Sequence, residues 1–72
     1  MNGREFHNYR YDLGWSQAYF AQLIGVHPSS IWRFEHDKAP IPRLVALLLR
    51  IASLTDANRV LIEQIATEME TL

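Results

Sequence analysis

The chain has 72 residues, which is enough for one small domain with a single core. It contains no cysteine, which excludes disulfide bonds and thiolate zinc sites, and its longest apolar run falls far short of the roughly 20 residues that a membrane helix needs. The formal net charge is −1, but the charges are uneven: residues 1–50 carry six basic and four acidic side chains, and residues 51–72 carry one and four.

Size and composition together favour an oligomer. A chain this short buries only about 60% of the surface that its unfolded form exposes, so it is marginally stable alone. Domains of this size usually add disulfides, a metal or a partner subunit. The hydrophobic fraction is 49%, which suggests apolar surface reserved for a partner. No basic segment followed by an apolar stretch opens the chain, so we expect no signal peptide and a cytoplasmic protein.

Apolar residues recur at helical spacing throughout, which predicts an all-α domain of five helices spanning residues 1–72. The predicted helices cover residues 4–13, 17–24, 28–36, 42–53 and 56–69. Gly14 and Gly25 follow the first two helices, where a glycine accepts the left-handed backbone of a helix end.

Two helix starts carry the same local pattern. Ser16 is predicted to cap the second helix, with Trp15 before the cap and Phe20 four residues after it, the spacing of a hydrophobic staple. Val26 and Ile31 repeat that spacing around His27 at the start of the third helix. Pro28 suits the first helical position, where its missing amide costs nothing.

The fourth helix is apolar nearly all round, and the fifth carries a broad apolar stripe. A helix of that kind is covered on more than one side, and five helices of this size cannot hide all of the apolar surface. Residues 42–70 are therefore predicted to form a dimer interface as well as part of the core. The predicted interface residues are Leu47, Leu48, Ile51, Val60, Leu61 and Ile65.

The second and third helices are separated by only three residues, 25–27, so they must cross steeply. That geometry is typical of a helix-turn-helix, here at about residues 17–36. Ala21 is small where the helices approach, and Gly25 can take the positive φ of the turn.

From Leu13 to Ala52 the chain resembles the helix-turn-helix family of phage repressors and Cro proteins, a lambda-repressor-like fold. Ser16-Gln17 opens the second helix as in that family, Arg33-Phe34-Glu35 stands where members often have Arg-Trp-Glu, and Pro42 stands where the fourth helix often starts. The resemblance implies double-stranded DNA as partner and a homodimer bound to an inverted-repeat operator.

In relatives, the glutamine after the second-helix cap and basic residues after the third helix contact phosphate, and the outward side of the third helix contacts bases. Arg33 has the planar fork that matches guanine O6 and N7, whereas a serine hydroxyl bonds either way. Trp32 either meets a base or sugar or packs on a neighbouring loop. Carried onto this chain, the predicted DNA-binding residues are Gln17, Pro28, Ser29, Trp32, Arg33, His36, Lys38 and Arg43.

Three positions qualify the resemblance. Relatives usually have glycine where this chain has Asp37, a residue that tolerates a left-handed backbone better than most. Pro28 cannot donate a hydrogen bond to a base, which weakens polar readout at that end of the helix. Some relatives pair an arginine of the first helix with the glutamate closing the third, which makes Arg10 and Glu35 candidates for a structural ion pair.

The sequence thus favours a transcriptional regulator, most simply a repressor or autoregulator of the phage Cro, antitoxin or anti-CRISPR-associated type. The alternative is an adaptor or antitoxin that uses the same fold to bind a protein such as a toxin, which the low net charge and the outward-facing Trp32, Tyr19 and Leu23 favour. The histidines lack the spacing of a helix-borne zinc site, and no serine lies in a catalytic motif, so we predict no enzyme, metal or cofactor.

Overall fold

A computed structural model describes residues 1–71 and contains five α-helices, with no strand among those residues. The helices are α1 (Gly3–Asp12), α2 (Gln17–Ile24), α3 (Pro28–Glu35), α4 (Arg43–Leu54) and α5 (Asp56–Glu70). The predicted all-α, five-helix fold is confirmed, and each predicted helix end lies within one residue of the observed one. The last residue of the predicted 1–72 domain, Leu72, lies outside the described residues.

The core forms where α1 packs across the α2–α3 pair and α4 closes the other side. Phe6, Phe20, Ile31 and Leu49 have no solvent-exposed surface. The ring centroid of Phe6 lies 5.8 Å from that of Phe20 and 5.7 Å from that of Phe34, within the range of favourable aromatic pairs. The Phe6 side chain thereby fixes the position of α3 relative to α1, while α5 packs on α4 and α2.

The predicted start of α2 is confirmed in detail. The Ser16 hydroxyl accepts from the Tyr19 amide at 3.0 Å, and the Trp15 ring stacks on Phe20 at a centroid distance of 5.4 Å. Gly25 ends the helix with a φ of 75°, a conformation that a residue with a Cβ adopts only at a cost. Short-range signals therefore define both ends of the first helix of the motif.

The start of α1 was missed by one residue, although the sequence carries a signal for it. Asn2 caps the helix by accepting from the Glu5 amide at 2.9 Å, and the Glu5 carboxylate accepts from the Asn2 amide at 3.1 Å. Asn-x-x-Glu is a variant of the capping box, in which each side chain satisfies the other residue's backbone.

The first turn of α1 rests directly on the last turn of α3. Gly3 is buried, and its amide donates to Oδ1 of Asp37 at 2.8 Å. A Cβ at Gly3 would lie 2.4 Å from the backbone oxygen of Glu35, much closer than such atoms approach in proteins. The absence of a side chain at Gly3 is therefore what allows the two helices to meet at this distance.

Substituting Gly3 with alanine is expected to destabilise the fold by roughly 1–3 kcal/mol, because α1 must move away from the carbonyl groups that end α3. Alanine is the better helix former, so the intrinsic preference works in the opposite direction. Thermal unfolding of Gly3→Ala beside Arg4→Ala, a control at an exposed position of the same turn, measures the effect. Equal melting temperatures for the two variants would contradict the proposed close approach.

Candidate nucleic-acid interface

The outward side of α3 is free of the chain's own core. Ile31 and Phe34 are buried beneath it. The predicted base-contacting residues lie on the opposite side and are all exposed: Pro28, Ser29, Trp32, Arg33 and His36. Because these positions are separated by one, three or four residues, they form one continuous helix face.

Trp32 is the largest side chain of this face and remains 45% exposed. Its ring partner is His36, the residue that follows α3: the two rings stack with centroids 3.8 Å apart and planes inclined by 14°. Nδ1 of His36 lies 2.8 Å from the Trp32 carbonyl oxygen, which can only accept, so the imidazole donates. The pair forms a flat aromatic surface with one side of the indole still open.

Of the predicted phosphate contacts, Gln17 and Lys38 each make a hydrogen bond to α3, and Arg43 begins α4. Lys38 and Arg43 are exposed, and the Lys38 amide donates to the Arg33 carbonyl at 2.9 Å, so the loop continues directly from α3. Gln17 is half-buried at the start of α2, and its amide nitrogen donates to Oε1 of Glu35 at 3.2 Å. A carboxamide has two such hydrogens, so this bond orients Gln17 and leaves a second hydrogen for an acceptor such as phosphate.

Arg10 and Glu35 form the ion pair that the resemblance implies. The Glu35 side chain is only 3% exposed and accepts from Nε and Nη2 of Arg10, the latter at 3.1 Å. Nη1 of Arg10 donates to the Trp15 carbonyl at 2.7 Å. One guanidinium therefore connects α1, the start of α2 and the end of α3.

His7 and Gln17 complete the hydrogen bonds of the Glu35 carboxylate, and the sequence did not indicate this role for either residue. Nδ1 of His7 lies 2.8 Å from Oε1 of Glu35. Burial would raise the pKa of Glu35, but hydrogen bonds from Arg10, His7 and Gln17, with the charge of Arg10, hold that pKa below its ordinary value. Glu35 is therefore ionised at neutral pH and positions Gln17 at the edge of the α3 face.

Asp37 replaces the usual glycine in the way predicted. Its φ is 54°, in the left-handed region that aspartate enters more readily than most residues. Its carboxylate has the further role of accepting from Gly3, which a glycine at this position could not fulfil. The departure from the family pattern thus adds a contact between α1 and the end of α3.

Comparison with known protein families identifies the arrangement. A family model described as a helix-turn-helix domain matches residues 3–65. The chain belongs to this helix-turn-helix domain family. The match runs from the first residue of α1 into α5, so it includes the α2–α3 motif and the helices that support it. Comparison with curated proteins and with solved structures gave no match.

Membership of a helix-turn-helix family suggests a DNA-binding regulator. No helix within residues 1–71 is long and apolar enough to cross a membrane. Within the same residues, no group of three or more His, Cys, Asp or Glu side chains is placed to hold a metal ion.

The helix-turn-helix domain also exposes an apolar surface on α4 and α5. Four residues of α4 form what we term the outer row: Leu44, Leu47, Ile51 and Leu54. Leu44 is 79% exposed and Leu54 74%, and neither was included in the predicted interface. On α5, Val60, Leu61 and Ile65 are exposed, as the predicted interface requires.

Leu48, the sixth residue of the predicted interface, is half-buried and packs against the chain's own core. The buried residues of α4 are Leu49 and Ala52, so Leu48 lies between the inward side of the helix and the outer row. Leu23 was likewise grouped with outward-facing residues, but it packs against the core at half burial.

Proposed function

We propose that this helix-turn-helix domain is a sequence-specific transcriptional regulator that binds an inverted-repeat operator as a homodimer. The observation that carries the proposal is the exposed α3 face, where Arg33 and Ser29 stand outward beside the open Trp32 ring. An α-helix fits into the major groove, where hydrogen-bonding side chains on its outward side contact the base edges. Acting in the cytoplasm, such a domain would repress or autoregulate by occupying a promoter.

Phosphate binding on both sides of the groove would orient the domain. Lys38 and Arg43 supply positive charge after α3, and Gln17 offers an amide hydrogen at the start of α2, where a helix end favours anions. The acidic residues 63, 68 and 70 belong to α5, which packs on α4 and α2. With few cations available, we expect modest affinity that falls with rising salt in proportion to the number of phosphates contacted.

A second copy of the chain is the proposed occupant of the outer row. Its four residues are spaced three, four and three positions apart, the repeat along which two helices pack as a seam. Exposed apolar rows of this kind are unusual on a monomer. To bind an inverted repeat, two-fold pairing through α4 and α5 must place the two copies of α3 about 34 Å apart, one in each of two successive major grooves.

The decisive experiment selects duplexes bound from a random pool and measures their affinity for wild type and for Arg33→Ala. Loss of a bidentate arginine–guanine contact should weaken binding roughly 5- to 150-fold and relax the preference at one base pair of each half-site. Arg59→Ala is the matched control, because Arg59 pairs with Glu63 on α5. If Arg33→Ala selects and binds the same sequences as tightly as wild type, Arg33 does not read DNA.

A protein-binding adaptor or antitoxin is the second candidate, favoured by the exposed Trp32 and Tyr19 side chains and by the net charge of −1. Titration with duplex DNA at two salt concentrations separates the candidates. Binding that weakens strongly with salt supports the regulator, and the absence of any complex at low salt supports the adaptor.

A further inference from the structure

The residue that caps α3 is in contact with one of the residues proposed to read DNA. His27 precedes the helix, and its Nδ1 lies 3.1 Å from the backbone nitrogen of Ser29 and 2.8 Å from the Ser29 hydroxyl oxygen. A backbone amide can only donate, so Nδ1 accepts from it and carries no hydrogen. The imidazole in this arrangement is neutral, with its hydrogen on Nε2.

Nδ1 of His27 also determines which atom donates in its contact with the Ser29 hydroxyl. Nδ1 has one lone pair, which the Ser29 amide and hydroxyl share in a three-centre arrangement, so the 2.8 Å contact is a hydrogen bond only when the hydroxyl donates its hydrogen. A serine hydroxyl has one hydrogen and two lone pairs. In this arrangement the hydrogen is used within the protein, and Ser29 presents only lone pairs to solvent.

We propose that His27 makes Ser29 a hydrogen-bond acceptor, so that α3 selects adenine or cytosine at the base Ser29 meets. In the major groove, adenine N6 and cytosine N4 donate, whereas guanine O6 and N7 and thymine O4 accept. A free serine accommodates either kind of edge, but an acceptor facing another acceptor leaves both unpaired at a cost. This inference rests on the proposed function and assigns a specificity to one position of its site.

The neighbouring residues add no competing donor from the backbone at this end of the helix. Pro28, between His27 and Ser29, has no amide hydrogen. Ser30 follows on the half-buried side, and its amide donates to the His27 carbonyl at 2.9 Å. Ser29 is therefore the hydroxyl of this turn that is exposed toward a ligand.

The test begins with sequences selected from a random duplex pool at pH 7.5. Comparison of wild type with Ser29→Ala identifies the base position that depends on Ser29, and Ser30→Ala is the control that should leave every position unchanged. Four duplexes differing only at that position are then titrated with wild type. We expect adenine and cytosine to be bound roughly tenfold more tightly than guanine and thymine.

Replacing His27 with serine keeps a capping hydroxyl but removes the imidazole acceptor, so the Ser29 hydroxyl can rotate. The preference among the four duplexes is expected to fall to within about twofold, because a free hydroxyl bonds either edge. A preference of wild type for guanine or thymine, indifference of wild type at that position, or an unchanged preference in His27→Ser overturns the inference.

A measurement without DNA tests the same hydrogen-bond direction. Nitrogen-15 NMR of the free protein at pH 7.5 should show His27 neutral with its hydrogen on Nε2, and a hydrogen on Nδ1 overturns the inference. Failure of the chain to bind any duplex overturns the proposed function, and the assignment of Ser29 falls with it. Selective binding without the adenine or cytosine preference overturns only the role of Ser29.

Discussion

Arg10→Met is expected to destabilise the domain by about 3–5 kcal/mol, a large part of the stability of a small domain. The substitution keeps much of the side-chain volume but leaves the Glu35 carboxylate, 3% exposed, without its cation. The Trp15 carbonyl also loses its hydrogen bond from Arg10. Chemical denaturation monitored by circular dichroism measures the change in the free energy of unfolding.

Two further variants show whether the loss of stability in Arg10→Met arises because the Arg10–Glu35 pair is buried. Arg59→Met removes a cation from the half-exposed pair with Glu63, four residues apart on α5, and should cost only about 0.3–0.5 kcal/mol. The double variant Arg10→Met, Glu35→Leu should recover part of the stability, because it leaves no unpaired charge although the Trp15 carbonyl still lacks its hydrogen bond. Equal losses for Arg10→Met and Arg59→Met would contradict the importance of the buried pair.

Acid should weaken the ion pair between Arg10 and Glu35. The pKa of Glu35 is lower in the folded state than its ordinary value of 4.5, so its ionised form favours folding above that value. This contribution is lost as the pH falls through the folded-state pKa. Glu35→Gln should therefore be less stable than wild type at pH 7, and the difference should shrink as the pH falls below about 4.5. A difference that stays constant from pH 7 to pH 3 would exclude this role for the carboxylate.

Ile51→Glu is expected to abolish the proposed homodimer and to weaken binding to the proposed inverted repeat by at least 100-fold. Ile51 lies in the middle of the outer row and is 49% exposed, so a glutamate there is tolerated in the monomer but is buried beside its two-fold copy in the dimer. Separate monomers lose the gain of binding two linked half-sites, which commonly reaches 10²–10⁴.

Sedimentation equilibrium and titration with duplex DNA measure the two effects. Asn8→Glu adds the same charge at an exposed position of α1 outside the outer row and should leave the dimer intact. A circular dichroism spectrum like that of wild type would exclude unfolding as the cause. Dimerisation of Ile51→Glu with the wild-type affinity would show that the outer row is not the interface.

The features predicted correctly from the sequence depend on short-range chemistry. The cap at Ser16, the staple of Trp15 and Phe20 and the turn at Gly25 each involve residues within five positions of one another. Such signals locate the ends of α2 and the turn before α3, and periodicity then gives the inward side of α3. The exposed position of Arg33 follows from that periodicity.

The features that the sequence did not give depend on contacts between distant segments. Gly3 meets the carbonyl of Glu35, and nothing local to residue 3 indicates that a Cβ would be excluded there. His7 and Gln17 come to the Glu35 carboxylate from two other helices. Leu48 flanks the buried side of α4, and periodicity alone does not predict how far a flanking residue is covered by the core.

The contact of Gly3 with the end of α3 has an electrostatic consequence for α3, the helix that we propose reads DNA. The peptide dipoles of α3 sum to a partial negative charge at its carboxyl end, which would repel phosphate. The amino end of α1, with the opposite partial charge, lies against those carbonyl groups, and its amide also engages the Asp37 carboxylate. The positive end of one helix dipole thus lies against the negative end of another, which reduces the negative potential at the carboxyl end of α3.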